Sequence, residues 1–167
     1  GSIRELYEVQ LNDVPLAAVS EPMDEPRPDL GLHAVGEYFN AGVLVINLTA
    51  WRVQKVTEKA IEFLKNYHEI AVFLDQDALN ACFHSRTKRL DYRWNVIRPF
   101  FREPLALPLE RAEIEAIRRE AIIIHFNGGS KPWSYFCDHP RRAEYETYLR
   151  MTAWRDYIPP HRTPLTG

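Results

Sequence analysis

The sequence has little cysteine, no long apolar run and no block of charge of one sign, and each shortage excludes a class of protein. Two cysteines, Cys82 and Cys137, are too few for a disulfide framework, which favours a reducing compartment. No apolar run approaches the roughly 20 residues that a membrane-spanning helix needs, and no signal peptide is visible. A formal net charge of -2 without a basic block argues against nucleic acid as a partner.

What is present is the composition of one soluble globular domain. The chain has 167 residues, of which 46% are apolar and 26% are charged, and it contains no internal repeat and no linker. It begins with Gly1 and Ser2 rather than Met, which suggests a cloning scar or a natural cut. A proline cluster at 22–28 predicts a surface loop, and the prolines within 158–167 predict a flexible tail.

Strands and helices alternate in the predicted secondary structure. Strands are expected over 16–20, 42–48, 88–91 and 121–125, and helices over 3–9, 49–67, 75–83, 110–120 and 141–157. Asp75 is expected to cap its helix, and Ile61, Leu64 and Tyr67 to form a buried stripe. The continuous apolar run over 42–48 is typical of a strand covered on both faces. We therefore expect an α/β sheet sandwich with a loop over 21–37 above a cleft, and ligands at the carboxyl ends of the strands.

One polar cluster follows the last predicted strand, in the segment IIIHFNGGSKPW. His125 offers an imidazole suited to a transition metal, a glycine pair lets backbone N–H groups approach an anion, and Lys131 adds a compact positive charge. The alternative is a strand-ending histidine followed by an ordinary glycine turn.

Two further clusters lie beside predicted strands. Asp75-Gln76-Asp77 could bind sugar hydroxyls, stabilise positive charge or hold a metal, although an aspartate there also suits a helix N-terminus. Asn40, before the small pair Ala41-Gly42, could bind a hydroxylated ligand, or the three residues could form a turn. Trp94 beside Asn95 could stack on a sugar face or belong to the core.

Four segments together resemble glycosyltransferase family 8, which includes bacterial lipopolysaccharide hexosyltransferases and glycogenin-type enzymes. The segments are YFNAGVLVINLTAWR, FLDQDALNACF, KRLDYRWNV and IIHFNGGSKPW, in this order, and the resemblance covers about residues 3–137. It implies a GT-A fold, a UDP-sugar donor, a glycan or lipid-linked acceptor, retention at the anomeric carbon, and Mn²⁺ or Mg²⁺ on the diphosphate.

The same resemblance implies roles for individual residues. His125 would be the metal ligand, Gly128 and Lys131 would hold the diphosphate, and Asn40 and Ala41 would line the sugar pocket. Asp75 and Gln76 would contact the donor sugar near the reacting carbon, and Glu21 would touch the sugar. Because an amide is a poor nucleophile, we expect direct attack by the acceptor on the face that the leaving group departs, rather than a covalent glycosyl-enzyme.

The family's Asp-x-Asp motif, which supplies two metal ligands, and the uridine-binding strands before it are missing from the sequence. We therefore expect a C-terminal portion of the catalytic domain that is inactive alone, is cytoplasmic or membrane-peripheral, and self-associates through an exposed sheet edge. The alternatives are a non-catalytic module that binds a glycan or a partner chain, and a phosphate-handling hydrolase. The hydrolase has the weaker support, because the sequence offers no Asp cluster for two metals and no Ser or Cys nucleophile with a matched base.

Overall fold

The computed structural model describes residues 2–22, 25–102 and 107–158, which form five short strands, six α-helices and four single-turn 3-10 helices. The strands are β1 (Leu16–Ser20), β2 (Phe39–Ile46), β3 (Thr87–Leu90), β4 (Val96–Ile97) and β5 (Ile124–His125). The helices are α1 (Arg4–Tyr7), α2 (Leu48–Val53), α3 (Val56–Tyr67), α4 (Asp75–Phe83), α5 (Arg111–Glu120) and α6 (Arg142–Leu149). The expected α/β class is confirmed, and β1 has the predicted bounds. The predicted tail over 158–167 lies, apart from Ile158, outside the described residues.

The main sheet has the order β2-β1-β3, in which β1 pairs parallel with β3 and antiparallel with β2. The first four residues of β1 are buried because the strand lies in the middle of the sheet. The prediction that the run over 42–48 is covered on both faces is wrong for the described residues. There β2 is an edge strand, Gly42 is exposed, and the side chain of Ile46 is 40% exposed.

Two helices replace the single helix expected over 49–67. α2 ends near Gln54, and Lys55 adopts a left-handed backbone with φ 53° before α3 begins. The predicted buried stripe of α3 is also wrong, since Ile61 and Tyr67 are about half exposed.

Another face of α3 packs against the core. Val56, Ala60 and Phe63 carry the contacts, at the spacing of one helix face. The principal core lies between this face, α4 and the sheet, and includes Leu16 and Phe39.

A second small sheet joins β4 and β5 in parallel and places His125 at its end, opposite Ile97. Val96 and Ile97 of β4 pack with Ile114 and Ile117 of α5 in a separate apolar cluster, which holds this sheet in position. The strand predicted over 121–125 forms only over its last two residues. The last predicted helix ends at Leu149 rather than Tyr157. Among the described residues, no helix is long and apolar enough to cross a membrane.

Candidate functional site

The eight residues to which the family resemblance assigns roles all line one open cavity of about 660 Å³, whereas Asp77, Trp94 and Asn95 are not part of its lining. The predicted members of the lining are Glu21, Asn40, Ala41, Asp75, Gln76, His125, Gly128 and Lys131. They come from the residue after β1, the start of β2, the first turn of α4, the end of β5 and the loop after it. The structure therefore brings together residues that are far apart in the sequence, and their individual roles stay predictions.

An irregularity in β2 forms one part of the lining. The register with β1 passes from Val19↔Asn40 to Ala18↔Leu44, so Ala41, Gly42 and Val43 are left out of the ladder. Two of their N–H groups bond to side chains instead: Ala41 donates to Oε1 of Gln76 at 2.9 Å, and Gly42 donates to Oδ1 of Asn40 at 2.9 Å. The bulge thus fixes two amide side chains beside the cavity.

Gln76 is held by three partners. Its Oε1 accepts the Ala41 N–H, and its Nε2 donates to Oε2 of Glu21 at 3.3 Å and to the hydroxyl of Tyr38 at 3.1 Å. Tyr38 in turn donates to Oδ1 of Asp77 at 2.5 Å. Burial, together with the Asp77 carboxylate, raises the pKa of Tyr38, so its hydroxyl remains a donor.

Asp75 and Asp77 have different environments. The prediction that Asp75 caps α4 is wrong, because the N-cap is Leu74 and Asp75 is the exposed first residue of the helix. Asp77 is fully buried, and its Oδ2 accepts from the backbone N–H of Phe73 at 2.8 Å. The Asp75 carboxylate, which has no hydrogen-bond partner among the described residues, is therefore available to a ligand.

The start of β2 is tied to α4 by Asn80, a residue that sequence reasoning missed. Its Oδ1 accepts from the N–H of Phe39 and its Nδ2 donates to the carbonyl of Phe39, both at 2.8 Å. The same Nδ2 donates to the carbonyl of Gln76 at 2.9 Å. An asparagine inside an apolar helical run was the signal for it, since a buried amide needs such partners.

Side-chain hydrogen bonds also connect Glu21 to His125. Asn40 Nδ2 donates to Oε2 of Glu21 at 3.2 Å, and Asn95 Nδ2 donates to Oδ1 of Asn40 at 2.9 Å. Asn95 Oδ1 lies 3.0 Å from Nδ1 of His125. Burial raises the pKa of Glu21, although the hydrogen bonds from Asn40 and Gln76 oppose this. Trp94, beside Asn95, is a core residue that is 4% exposed.

The His125 imidazole packs directly on Gly42. A Cβ added to Gly42 would lie 2.1 Å from Cε1 and 2.6 Å from Nδ1 of the ring, so only glycine leaves space for it. Burial lowers the pKa of His125, and the positive charge of Lys131 lowers it further. The neutral ring, which can bind a metal, is therefore favoured near neutral pH.

The loop after β5 carries the positive charge of the site. Gly128 has φ +77°, which favours glycine, and Lys131 Nζ donates to the carbonyl of Phe126 at 2.7 Å. Two of the three ammonium donors remain available to a ligand. Ser130 donates to Asp138 at 2.9 Å, and Arg98 pairs with the same carboxylate at 2.5 Å, which anchors the loop.

The described residues supply only part of a binding site for a divalent metal. Among the described residues, no group of three or more His, Cys, Asp and Glu side chains is placed to hold a metal ion. A tightly bound ion needs several ligands, so His125 can supply one ligand and further ligands would have to come from elsewhere.

An apolar rim borders the cavity and was missed by sequence reasoning. Val72, Phe73 and Leu74 are 71%, 60% and 62% exposed, and all three line the cavity. Leu74 has φ 44°, a positive value that is rare for a residue other than glycine and is a sign of local backbone strain. The strained segment sets the direction in which α4 and Asp75 start.

Comparison with solved structures identifies the fold of the chain as the GT-A fold. The galactosyltransferase LgtC, solved in complex with donor and acceptor sugar analogs, matches with a TM-score of 0.75 and 24% identity. That match covers 94% of this chain and 60% of LgtC. The bifunctional glycosyltransferase WbbM matches with a TM-score of 0.74 and 24% identity over 93% of this chain and 31% of its own.

The sequence profile of glycosyl transferase family 8 matches residues 1–137, and the chain belongs to this family. General stress protein A of Bacillus subtilis is 34% identical over 91% of this chain and 55% of its own length. Lipopolysaccharide 1,2-glucosyltransferase of Escherichia coli is 30% identical over 95% of this chain and 48% of its own. The chain thus spans about half the length of these curated relatives.

Proposed function

We propose that the protein, in its full natural length, transfers a hexose from a UDP-sugar to a saccharide or lipid-linked acceptor with retention of configuration. The observation that carries the proposal is the shared cavity of about 660 Å³, lined by all the predicted donor-site residues. Membership of family 8 and similarity to lipopolysaccharide hexosyltransferases support it.

The charges of the lining suit the two halves of such a transition state. The leaving diphosphate is anionic, and the Lys131 ammonium with the backbone N–H groups around Gly128 would stabilise it. The sugar becomes positive as the diphosphate leaves. The unpartnered Asp75 carboxylate, together with Glu21, would stabilise that charge.

Gln76 is better suited to positioning the sugar than to attacking it. Its Oε1 already accepts the Ala41 N–H, and an amide is a weak nucleophile. We therefore propose that the acceptor attacks the anomeric carbon directly, on the same face of the sugar from which the leaving group departs. Intact-mass measurement of a trapped reaction tests this, and a hexosylated enzyme would contradict it.

We also propose that His125 gives one ligand to Mn²⁺ or Mg²⁺, the other ligands lying outside the described residues. Such an ion, when bound, would neutralise charge on the diphosphate. A cytoplasmic location, at most peripheral to a membrane, fits both the free thiols of Cys82 and Cys137 and a UDP-sugar donor.

The test measures UDP release from UDP-glucose and UDP-galactose, with and without Mn²⁺, by the protein in its full natural length. Lys131→Ala should lower the rate by about 100-fold or more, the usual effect of losing one group that stabilises developing charge. His125→Ala should weaken the dependence of the rate on Mn²⁺.

Lys65→Ala and His68→Ala are matched controls, since both residues are exposed at the end of α3 and neither lines the cavity. They should behave like the wild type. Equal rates in all five proteins would contradict the assigned roles, and nucleotide-sugar binding without any turnover would favour a binding module instead.

A further inference from the structure

We propose that Asn95 is a positioning residue that holds the proton of neutral His125 on Nδ1, so that Nε2 keeps the lone pair. The proposal rests on the proposed function only for the use of that lone pair, which a metal ligand requires. The arrangement itself follows from which atoms along the buried chain of contacts can donate and which can accept.

A backbone N–H group fixes which atoms donate and which accept along this series of hydrogen bonds. The N–H of Gly42 can only donate, and it meets the side chain of Asn40 at 2.9 Å. That atom of Asn40 must be the oxygen. The amide nitrogen of Asn40 then faces Glu21 Oε2 at 3.2 Å, where an ionised carboxylate can only accept.

The orientation of Asn40 fixes the orientation of the Asn95 amide in turn. Because Oδ1 of Asn40 is an acceptor, the Asn95 atom 2.9 Å away must be the donating nitrogen. The oxygen of Asn95 therefore points to His125 Nδ1, 3.0 Å away. An amide oxygen can only accept, so Nδ1 has to carry the hydrogen.

Burial makes this orientation hard to reverse. Asn95 is 1% exposed and Asn40 is 6% exposed, so water cannot replace a lost partner. Rotating the Asn95 amide by half a turn would set oxygen against oxygen at Asn40. Nε2 of His125 has no hydrogen-bond partner among the described residues, which leaves its lone pair free.

The experiment records long-range ¹H–¹⁵N spectra of histidine side chains at pH 8, where the imidazole is neutral, with His125→Gln used to assign the signals. The wild type should show the Nδ1–H form of His125. Asn95→Asp keeps an acceptor facing Nδ1 and should retain that form, at the cost of the hydrogen bond to Oδ1 of Asn40. Asn95→Leu removes the acceptor and should shift most of the population to the Nε2–H form that a free histidine side chain favours, with opposite shifts of the two nitrogen resonances.

Asn47→Ala is the matched control, because Asn47 caps α2 and has no contact with this chain of amides. It should leave the His125 signals unchanged. If a general loss of stability moved these signals, they would move in both Asn47→Ala and Asn95→Leu. An Nε2–H form in the wild type would overturn the proposal even if Asn95→Leu failed to fold, as would an unchanged spectrum in a folded Asn95→Leu. None of these signals depends on sugar transfer, so a protein with the expected tautomer and no transfer would contradict the proposed function alone.

Discussion

Replacing Gly42 by alanine should damage both the stability and the chemistry of the site, because the new methyl group would occupy the space of the His125 ring. The added Cβ would lie 2.1 Å from Cε1, 2.6 Å from Nδ1 and 2.9 Å from Oδ1 of Asn40. An ordinary contact between carbon atoms is roughly 3.5–4.0 Å, so the ring would have to move by about 1.5 Å.

The size of the effect follows from this displacement. Forcing a methyl group into a filled space costs about 1–3 kcal/mol of the free energy of unfolding, which urea denaturation can measure. A catalytic group misplaced by about 1 Å lowers a rate by around 100-fold. We therefore expect Gly42→Ala to lose transfer activity by about that factor and to shift the His125 resonances.

Gly129→Ala provides the matched control. A Cβ at Gly129 meets no atom within 4 Å, and its backbone is not left-handed. As a control for stability alone, this variant should keep the free energy of unfolding of the wild type. The reasoning would be refuted by a Gly42→Ala protein that was equally stable and equally active and whose His125 resonances had not moved.

Further predictions concern the supporting network. Asn80→Ala leaves the N–H and carbonyl groups of Phe39 without partners, and urea denaturation should show a loss of about 2–4 kcal/mol. Tyr38→Phe removes a donor to buried Asp77 and should cost about 1–3 kcal/mol in the same assay, where an unchanged midpoint would contradict this. The hydrogen bond from Arg98 lowers the pKa of Asp138 from its ordinary value of 3.8 to about 2. The ionised carboxylate therefore stabilises the fold above pH 3.8, and this contribution is lost as the pH falls toward 2. The stability difference from Asp138→Asn should disappear over that range, and a constant difference would argue against the pairing. Finally, the exposed edge of β2 predicts self-association, which light scattering showing only monomer would contradict.

Local patterns in the sequence predicted the existence of several elements better than their limits. β1 was predicted to the residue because a short apolar run between polar segments has few other interpretations. The break between α2 and α3 was missed, since Lys55 has good helix propensity and nothing local signals its positive φ. The exposure of β2 was missed because an apolar run does not reveal which neighbouring strands cover it.

The location of the candidate site was more predictable than its hydrogen bonding. Motifs in a known order led to the residues that line the cavity, although these residues come from two separate sheets and from the first turn of α4. The partners of Asn80 and Asn95 could not be predicted, since their amides meet groups 41 and 55 residues away. Such pairings depend on the assembled fold rather than on local pattern.

The most direct test of the central claim is a crystal structure of the protein in its full natural length with a UDP-hexose and Mn²⁺. The account predicts the diphosphate beside the backbone of Gly128 and within hydrogen-bonding distance of Lys131 Nζ, with His125 Nε2 on the metal. A diphosphate bound away from the loop after β5 would contradict it.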